Sequence, residues 1–174
     1  WNKNANPITI ELATASLKRS LSLLPNFKLN RMNLEARKIM MEASLLAGMA
    51  ISQTRTALAH SISYPLTLKF NLPHGLACSF TLPEILRFNM QSDDGRLKNL
   101  SHELGYNNVM HMADSLEELF GKLELNKLVF SYLKDFDQIL ALKNEMLNPS
   151  RADNNLRPTT FDDLNYLLLK IINE

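Results

Sequence analysis

The chain carries four histidines, His60, His74, His102 and His111, and one cysteine, Cys78. His102 and His111 lie in polar, surface-like stretches and read as solvated helix residues. His60 and His74 differ. His60 sits in the apolar string Ala57-Leu58-Ala59-His60-Ser61-Ile62, and His74 in the turn-like Asn71-Leu72-Pro73-His74-Gly75. On one straight helix their separation would be about 21 Å, too far to share an ion. Pro65 and the Pro73–Gly75 turn can break the path and return His74 to His60. Two imidazoles converging there would form half of a Zn or Fe(II) site. The bland alternative is a pair of hydrogen-bonded core histidines. Cys78 follows His74 by four positions and a thiolate could ligate, but its apolar neighbours make a buried small residue the expected role. The methionines, including Met40-Met41 and the Met110/Met112 pair, read as core filling.

Helices must position these residues. Apolar residues at Ile10, Ala13, Leu17, Leu21 and Leu24 predict an amphipathic helix from Pro7 to Leu24. Asn33 is the expected N-cap of a second helix reaching Thr54. Its stretch 43–52 is apolar or small almost all round, which predicts the centre of the core, with Gly48 allowing a close helix approach. Residues 56–69 predict a third helix, bent at Pro65, and 70–75 a turn. A short helix with Pro83 near the start of its second part is expected within 75–90. Further short helices are expected near 97–104, 107–123, 127–136, 139–148 and 161–172, the last opened by Thr159/Thr160. Residues 147–160 read as a polar surface crossing. No strand or internal repeat is evident, so the expected fold class is an all-α, multi-helix domain over residues 1–174.

Composition narrows the functions. Hydrophobic residues make up 45%, charged residues 21%, and the net charge is +1. That balance is ordinary for a globular protein and gives no reason to expect nucleic acid or a membrane surface as partner. No apolar run approaches the roughly 20 residues of a membrane span. The opening Trp1-Asn2-Lys3-Asn4 has no leader-like apolar stretch, and a single cysteine forbids an internal disulfide. A cytoplasmic protein is expected. Trp1 in place of Met points to a processed chain or a fragment.

The segments Ala57 to Pro65, Leu72-Pro73-His74-Gly75 and Ser79-Phe80-Thr81-Leu82-Pro83 together resemble the metal-binding segment of the iron-containing alcohol dehydrogenases. In that family a histidine in a buried helix is followed fourteen residues later by one in a Pro-His-Gly turn, and a Leu-Pro pair then starts the next helix. The small-residue stretch Ala47-Gly48-Met49-Ala50 and the Asn148-Pro149 turn with Arg151 near it are similar as well, so the resemblance runs over nearly the whole chain. Within the family, Trp1 to Pro7 and Thr56 to Ser61 are most similar to the phosphonoacetaldehyde reductase branch.

The resemblance implies the helical C-terminal domain of a metal- and nicotinamide-dependent alcohol dehydrogenase or aldehyde reductase. His60 and His74 would be ligands of Fe(II) or Zn(II), Tyr64 would stand where many members carry a cofactor-side histidine, and Ser61 and Phe70 would line the substrate pocket. A tyrosine titrates near 10, far above histidine, which weakens any proton-relay role at position 64. Arg55 and Lys69 flank the His60 segment as cations for a phosphonate. The family's other two ligands, an Asp and a His four residues apart, are not supplied: no histidine precedes His60 and no aspartate precedes Asp93. Nor is there a glycine pair for a pyrophosphate-cradling turn. The α/β cofactor domain is therefore expected to lie outside this chain, which alone would hold NAD(P)H weakly and turn over little aldehyde or alcohol. The cleft face around Tyr64, Leu66 and Phe70 would then be exposed, or covered by a second copy in a homo-oligomer. The alternative function is a non-catalytic helical scaffold or metal-binding module.

Overall fold

The computed structural model describes residues 1–26 and 33–173. Polar caps set the first two helices. The Asn6 side chain accepts from the Thr9 amide at 3.0 Å, and the Thr9 hydroxyl accepts from the Asn6 amide at 2.9 Å, which starts α1 (Pro7–Leu23). Asn33 accepts from the Ala36 amide and starts α2 (Leu34–Thr54). These two helices pack chiefly on each other. After Arg55 comes α3 (Leu58–Phe70), which contains Pro65 and ends at Asn71 in the left-handed conformation. Asparagine tolerates that backbone better than most residues. The chain turns there and enters α4 (His74–Ser79) and α5 (Leu82–Asn89).

The remainder is a run of short helices: α6 (Arg96–Glu103), α7 (Val109–Lys122), α8 (Leu125–Tyr132), α9 (Phe136–Ala141), α10 (Lys143–Met146), α11 (Pro149–Ala152) and α12 (Phe161–Asn173). Among the described residues there is no strand, only an isolated bridge between Asn2 and Asn155. The all-α expectation is met. No described helix is long and apolar enough to cross a membrane.

The core is built around α3. Leu58, Ile62 and Leu66 are fully buried and meet Ile85 and Phe88 of α5, Leu119 and Phe120 of α7, Val129 of α8, and Leu164, Leu167, Leu168 and Ile171 of α12. The spacing of the α12 residues forms one helical stripe. Each such side chain contributes roughly 1.5–3 kcal/mol on burial. A smaller cluster joins Leu86, Leu97, Val109, Met112 and Ala113.

Three expectations need correction. The 43–52 stretch is not the centre of the core: Ala43 and Ala50 are buried, but Leu45 is 65% exposed and Met49 and Ile51 are also exposed. Within that stretch only the two alanines are buried, and a Cβ on Gly48 would meet nothing within 4 Å, so no close approach explains that glycine. The helix expected over 127–136 stops at Tyr132, because Asp135 accepts from the Gln138 amide and starts α9 anew. The 147–160 segment is no mere surface crossing. It contains α11 and buries Ala152 and Asn155. Asn155 exchanges amide hydrogen bonds with the buried Asn89 at 2.8 and 3.2 Å, and the Leu156 amide donates to the Trp1 carbonyl at 3.0 Å. Paired this way, buried amides avoid the penalty of an unmet donor or acceptor.

Candidate metal and cofactor site

α3 carries His60 two residues into its first turn, half-buried, and α4 opens with His74, exposed. The Asn71 turn folds α4 back on α3, so the two imidazole rings lie 5.5 Å apart, edge to face. The fourteen-residue separation is closed by a left-handed asparagine and Pro73, with His74 as the first residue of a helix where the sequence suggested a turn.

Cys78 completes the group. One helical turn after His74, it lies on the same face of α4. Its Sγ is 3.6 Å from His74 Nε2, and one ligand atom each from His60, His74 and Cys78 lie within 4.8 Å of one another. The thiol donates to Ser63 Oγ at 3.2 Å, and Ser63 Oγ donates to the His60 carbonyl at 2.9 Å. Burial pushes the thiol's pKa up, an effect the Ser63 hydrogen bond opposes. His60 is held below its ordinary pKa, first by burial, then by the proximity of His74 and the charge of Arg151. A neutral imidazole is the form that ligates a metal.

The rest of the site is aromatic and cationic. The Tyr64 ring, one turn after His60 on α3, lies 5.5 Å from the His74 ring and is partly exposed. The Arg151 guanidinium, from α11, stacks 4.2 Å from the Tyr64 ring centre. Beyond His60 and Cys78 opens an apolar cavity of about 390 Å³, bounded by α1, α2 and α6 and by Trp1.

Two expected pocket residues are elsewhere. Ser61 is buried, and its hydroxyl donates to the Met146 carbonyl while accepting from the Asn148 amide at 3.2 Å. It ties α3 to the α10–α11 segment and presents nothing to a substrate. Phe70 packs against the main core cluster, about 15 Å along α3 from His60. Leu66, expected on an open cleft face, is fully buried. Of the expected cations, Arg55 borders the cavity, whereas Lys69 is exposed in the last turn of α3. His102 and His111 are exposed, as expected. Arg151 lies beside Tyr64 and Cys78 beside His74, although the sequence suggested packing for Cys78 and gave Arg151 no site role. The signal for Cys78 was its one-turn spacing from His74. Arg151 reaches Tyr64 from far along the chain, which no local pattern encodes.

A family model described as Fe-containing alcohol dehydrogenase family, C-terminal, matches residues 1–172. Phosphonoacetaldehyde reductase of Streptomyces viridochromogenes is 30% identical over 121 residues, covering 70% of this chain and 30% of that protein. Sulfoacetaldehyde reductase of Bilophila wadsworthia is 33% identical over 146 residues, covering 80% of this chain and 35% of that protein. The crystal structure of sulfoacetaldehyde reductase from Bifidobacterium kashiwanohense, in complex with NAD+, superposes with a TM-score of 0.86 at 30% identity, covering 98% of this chain and 45% of that one. The chain thus spans about a third of these curated relatives and under half of the solved one.

Proposed function

The chain belongs to the iron-containing alcohol dehydrogenase family, as its C-terminal helical domain, and from that premise we propose that it forms the metal-holding half of a nicotinamide-dependent reductase of small aldehydes. The observation that carries this reading is the 5.5 Å approach of the His60 and His74 rings, with His60 also lining an apolar cavity. His60 and His74 would hold Fe(II) or Zn(II). Such an ion supplies Lewis acidity toward a carbonyl or alkoxide oxygen. Burial, the nearby His74 and the charge of Arg151 lower the His60 pKa, which favours the neutral imidazole that ligates a metal. The nicotinamide would be held by an α/β domain outside these 174 residues, with Tyr64 forming part of the wall it approaches.

For substrate, the reading is a short aldehyde bearing a phosphonate or sulfonate. The two named relatives that act on such aldehydes support it. So does Arg151, whose planar guanidinium lies over Tyr64 and close enough to His60 to depress its pKa. Arginine's fork suits a tetrahedral oxyanion better than a lysine point charge does.

The test is NAD(P)H-dependent reduction of phosphonoacetaldehyde and sulfoacetaldehyde by the Fe(II)- or Zn(II)-loaded protein joined to its cofactor domain, beside its His74→Ala variant. His74 is exposed at a helix start, so its loss leaves no core cavity. Activity should fall by about 100-fold or more, since even outer partners of a metal site cost 10–100-fold, with the melting temperature little changed. Near-normal turnover by metal-loaded His74→Ala would remove the histidine pair from the mechanism.

A further inference from the structure

The geometry points to Arg55 as the residue that recognises the anionic end of the substrate, a phosphonate or sulfonate, and so separates such aldehydes from uncharged ones. This rests on the reading of the chain as part of an aldehyde reductase and adds a specificity-determining residue to it. Arg55 links α2 to α3, five positions before His60. Its backbone stands at φ 63° and ψ −175°. Asn71 and Glu124 also have positive φ, but both lie in the ordinary left-handed well. The region that Arg55 occupies belongs almost wholly to glycine, and another residue stays there only where its surroundings hold it.

Asparagines do the holding. Asn2 Nδ2 donates to the carbonyls of Thr54 and Arg55 at 3.1 Å each, and Asn4 Nδ2 donates to the Thr54 carbonyl at 3.3 Å. Asn154 Nδ2 donates to the Thr56 carbonyl at 2.9 Å. Three successive carbonyls are thus tied to side-chain amides from two distant parts of the chain. Glycine would make this turn at less cost, so what arginine adds is its guanidinium. Arg19, Arg87, Arg96 and Arg157 each pair with a carboxylate. Arg55 is exposed, and no carboxylate among the described residues pairs with it. It lines the same cavity as His60, and the other arginine on that wall, Arg96, is engaged by Asp94. A guanidinium presents paired N–H donors that match two oxygens of a tetrahedral oxyanion. Arg151 brings one positive charge from α11, stacked on Tyr64, and Arg55 brings a second with its donors still open.

The test compares the metal-loaded protein, joined to its cofactor domain, with its Arg55→Gly and Arg55→Lys variants. Ethylphosphonate, which cannot be reduced, reports anion binding by calorimetry. Phosphonoacetaldehyde and propionaldehyde, assayed side by side, report specificity. Glycine fits the backbone at this position, so Arg55→Gly should keep the fold, with a melting temperature close to the parent's. Ethylphosphonate should bind about 10- to 100-fold more weakly to Arg55→Gly, the range for a lost hydrogen bond to a charged group. The kcat/KM for phosphonoacetaldehyde should fall by a similar factor, mainly through KM, while that for propionaldehyde changes by less than about threefold. Arg55→Lys, which keeps the charge without the fork, should recover part of the loss. Equal losses on the two aldehydes would overturn the assignment, because Arg55 would then only shape the approach to His60. So would ethylphosphonate binding that is absent from the parent or unchanged in Arg55→Gly. If the parent reduces neither aldehyde but its ethylphosphonate binding still depends on Arg55, the reductase reading falls and the anion site stands.

Discussion

At the residue scale, chemistry was legible where spacing is local and hidden where contact is distant. His60 and His74 announced themselves through an apolar helix and a Pro-His-Gly turn. Cys78 shares a helix face with His74, yet its apolar flanks argued for burial. Those flanks turn to the core through Ala77 and Phe80 while the sulfur faces Ser63 and His74. Ser61 was misjudged for a related reason. Its neighbour His60 faces the site, but adjacent helix residues point about 100° apart, and Ser61 faces the α10–α11 segment. Replacing Ser61 by alanine would leave the Met146 carbonyl and the Asn148 amide without their partner in a buried place. Stability should fall by about 1–3 kcal/mol, seen as a lower urea midpoint with unchanged slope. An unchanged midpoint would show that water satisfies both groups and that the tie carries no energy.

At the element scale, helix starts were the readable feature, because a cap is a short-range device. Asn33 and the Thr159/Thr160 pair marked starts that the structure places at Leu34 and Phe161. Helix ends were less readable. Asp135, which interrupts an apolar run to start α9, gives no stronger local signal than any surface aspartate. The start of α12 also makes a pH-dependent contribution. Thr160 Oγ1 accepts from the Asp163 amide at 3.1 Å, and Asp163 Oδ2 accepts from the Thr160 amide at 3.0 Å, while Arg157 pairs with Oδ1 at 3.1 Å. Burial would raise the Asp163 pKa, but the Thr160 hydrogen bonds and the Arg157 charge outweigh it, and the net shift is downward. A carboxylate with a depressed folded pKa stabilises fully above its unfolded value, near 3.9, and loses that contribution as the pH falls through the folded value. Asp163→Ala should therefore cost about 1 kcal/mol at pH 7. The gap between variant and parent should narrow below about pH 4. A gap independent of pH down to acid unfolding would place the effect in packing, not in charge.

At the scale of the whole molecule, the misreading of α2 has a dynamic consequence. Composition suggested a central helix because alanine, glycine and methionine dominate it, but small residues bury little area wherever they lie. The α1–α2 pair contributes no large, fully buried apolar side chain: its buried residues are Thr9, Thr14 and Ser16 on α1, and Ala43, Ala50 and Thr54 on α2. Its internal tie is polar, Ser16 Oγ donating to the Ala43 carbonyl at 2.7 Å. Between this pair and the α3-centred body lies the apolar cavity of about 390 Å³, so much of the facing surface is not in contact. Leu21 and Leu24, at the far end, reach the main cluster only as half-buried residues. The body, by contrast, holds Leu58, Ile62, Leu66, Ile85, Leu164, Leu167 and Leu168 in one cluster. With roughly 1.5–3 kcal/mol for each buried Leu or Ile, the two parts cannot have equal resistance to opening. Native-state hydrogen exchange in low urea should show the amides of 43–50 opening at a lower free energy, and with a smaller urea dependence, than those of 62–66. The histidine-bearing ends of α3 and α4 belong to the body through Leu58 and Ala77. Metal binding at His60 and His74 should accordingly raise protection in α3 and α4 more than in α2. Equal opening energies and equal urea dependence in α2 and α3 would mean that the pair opens only when the whole molecule unfolds, and that the cavity between them is no mechanical divide.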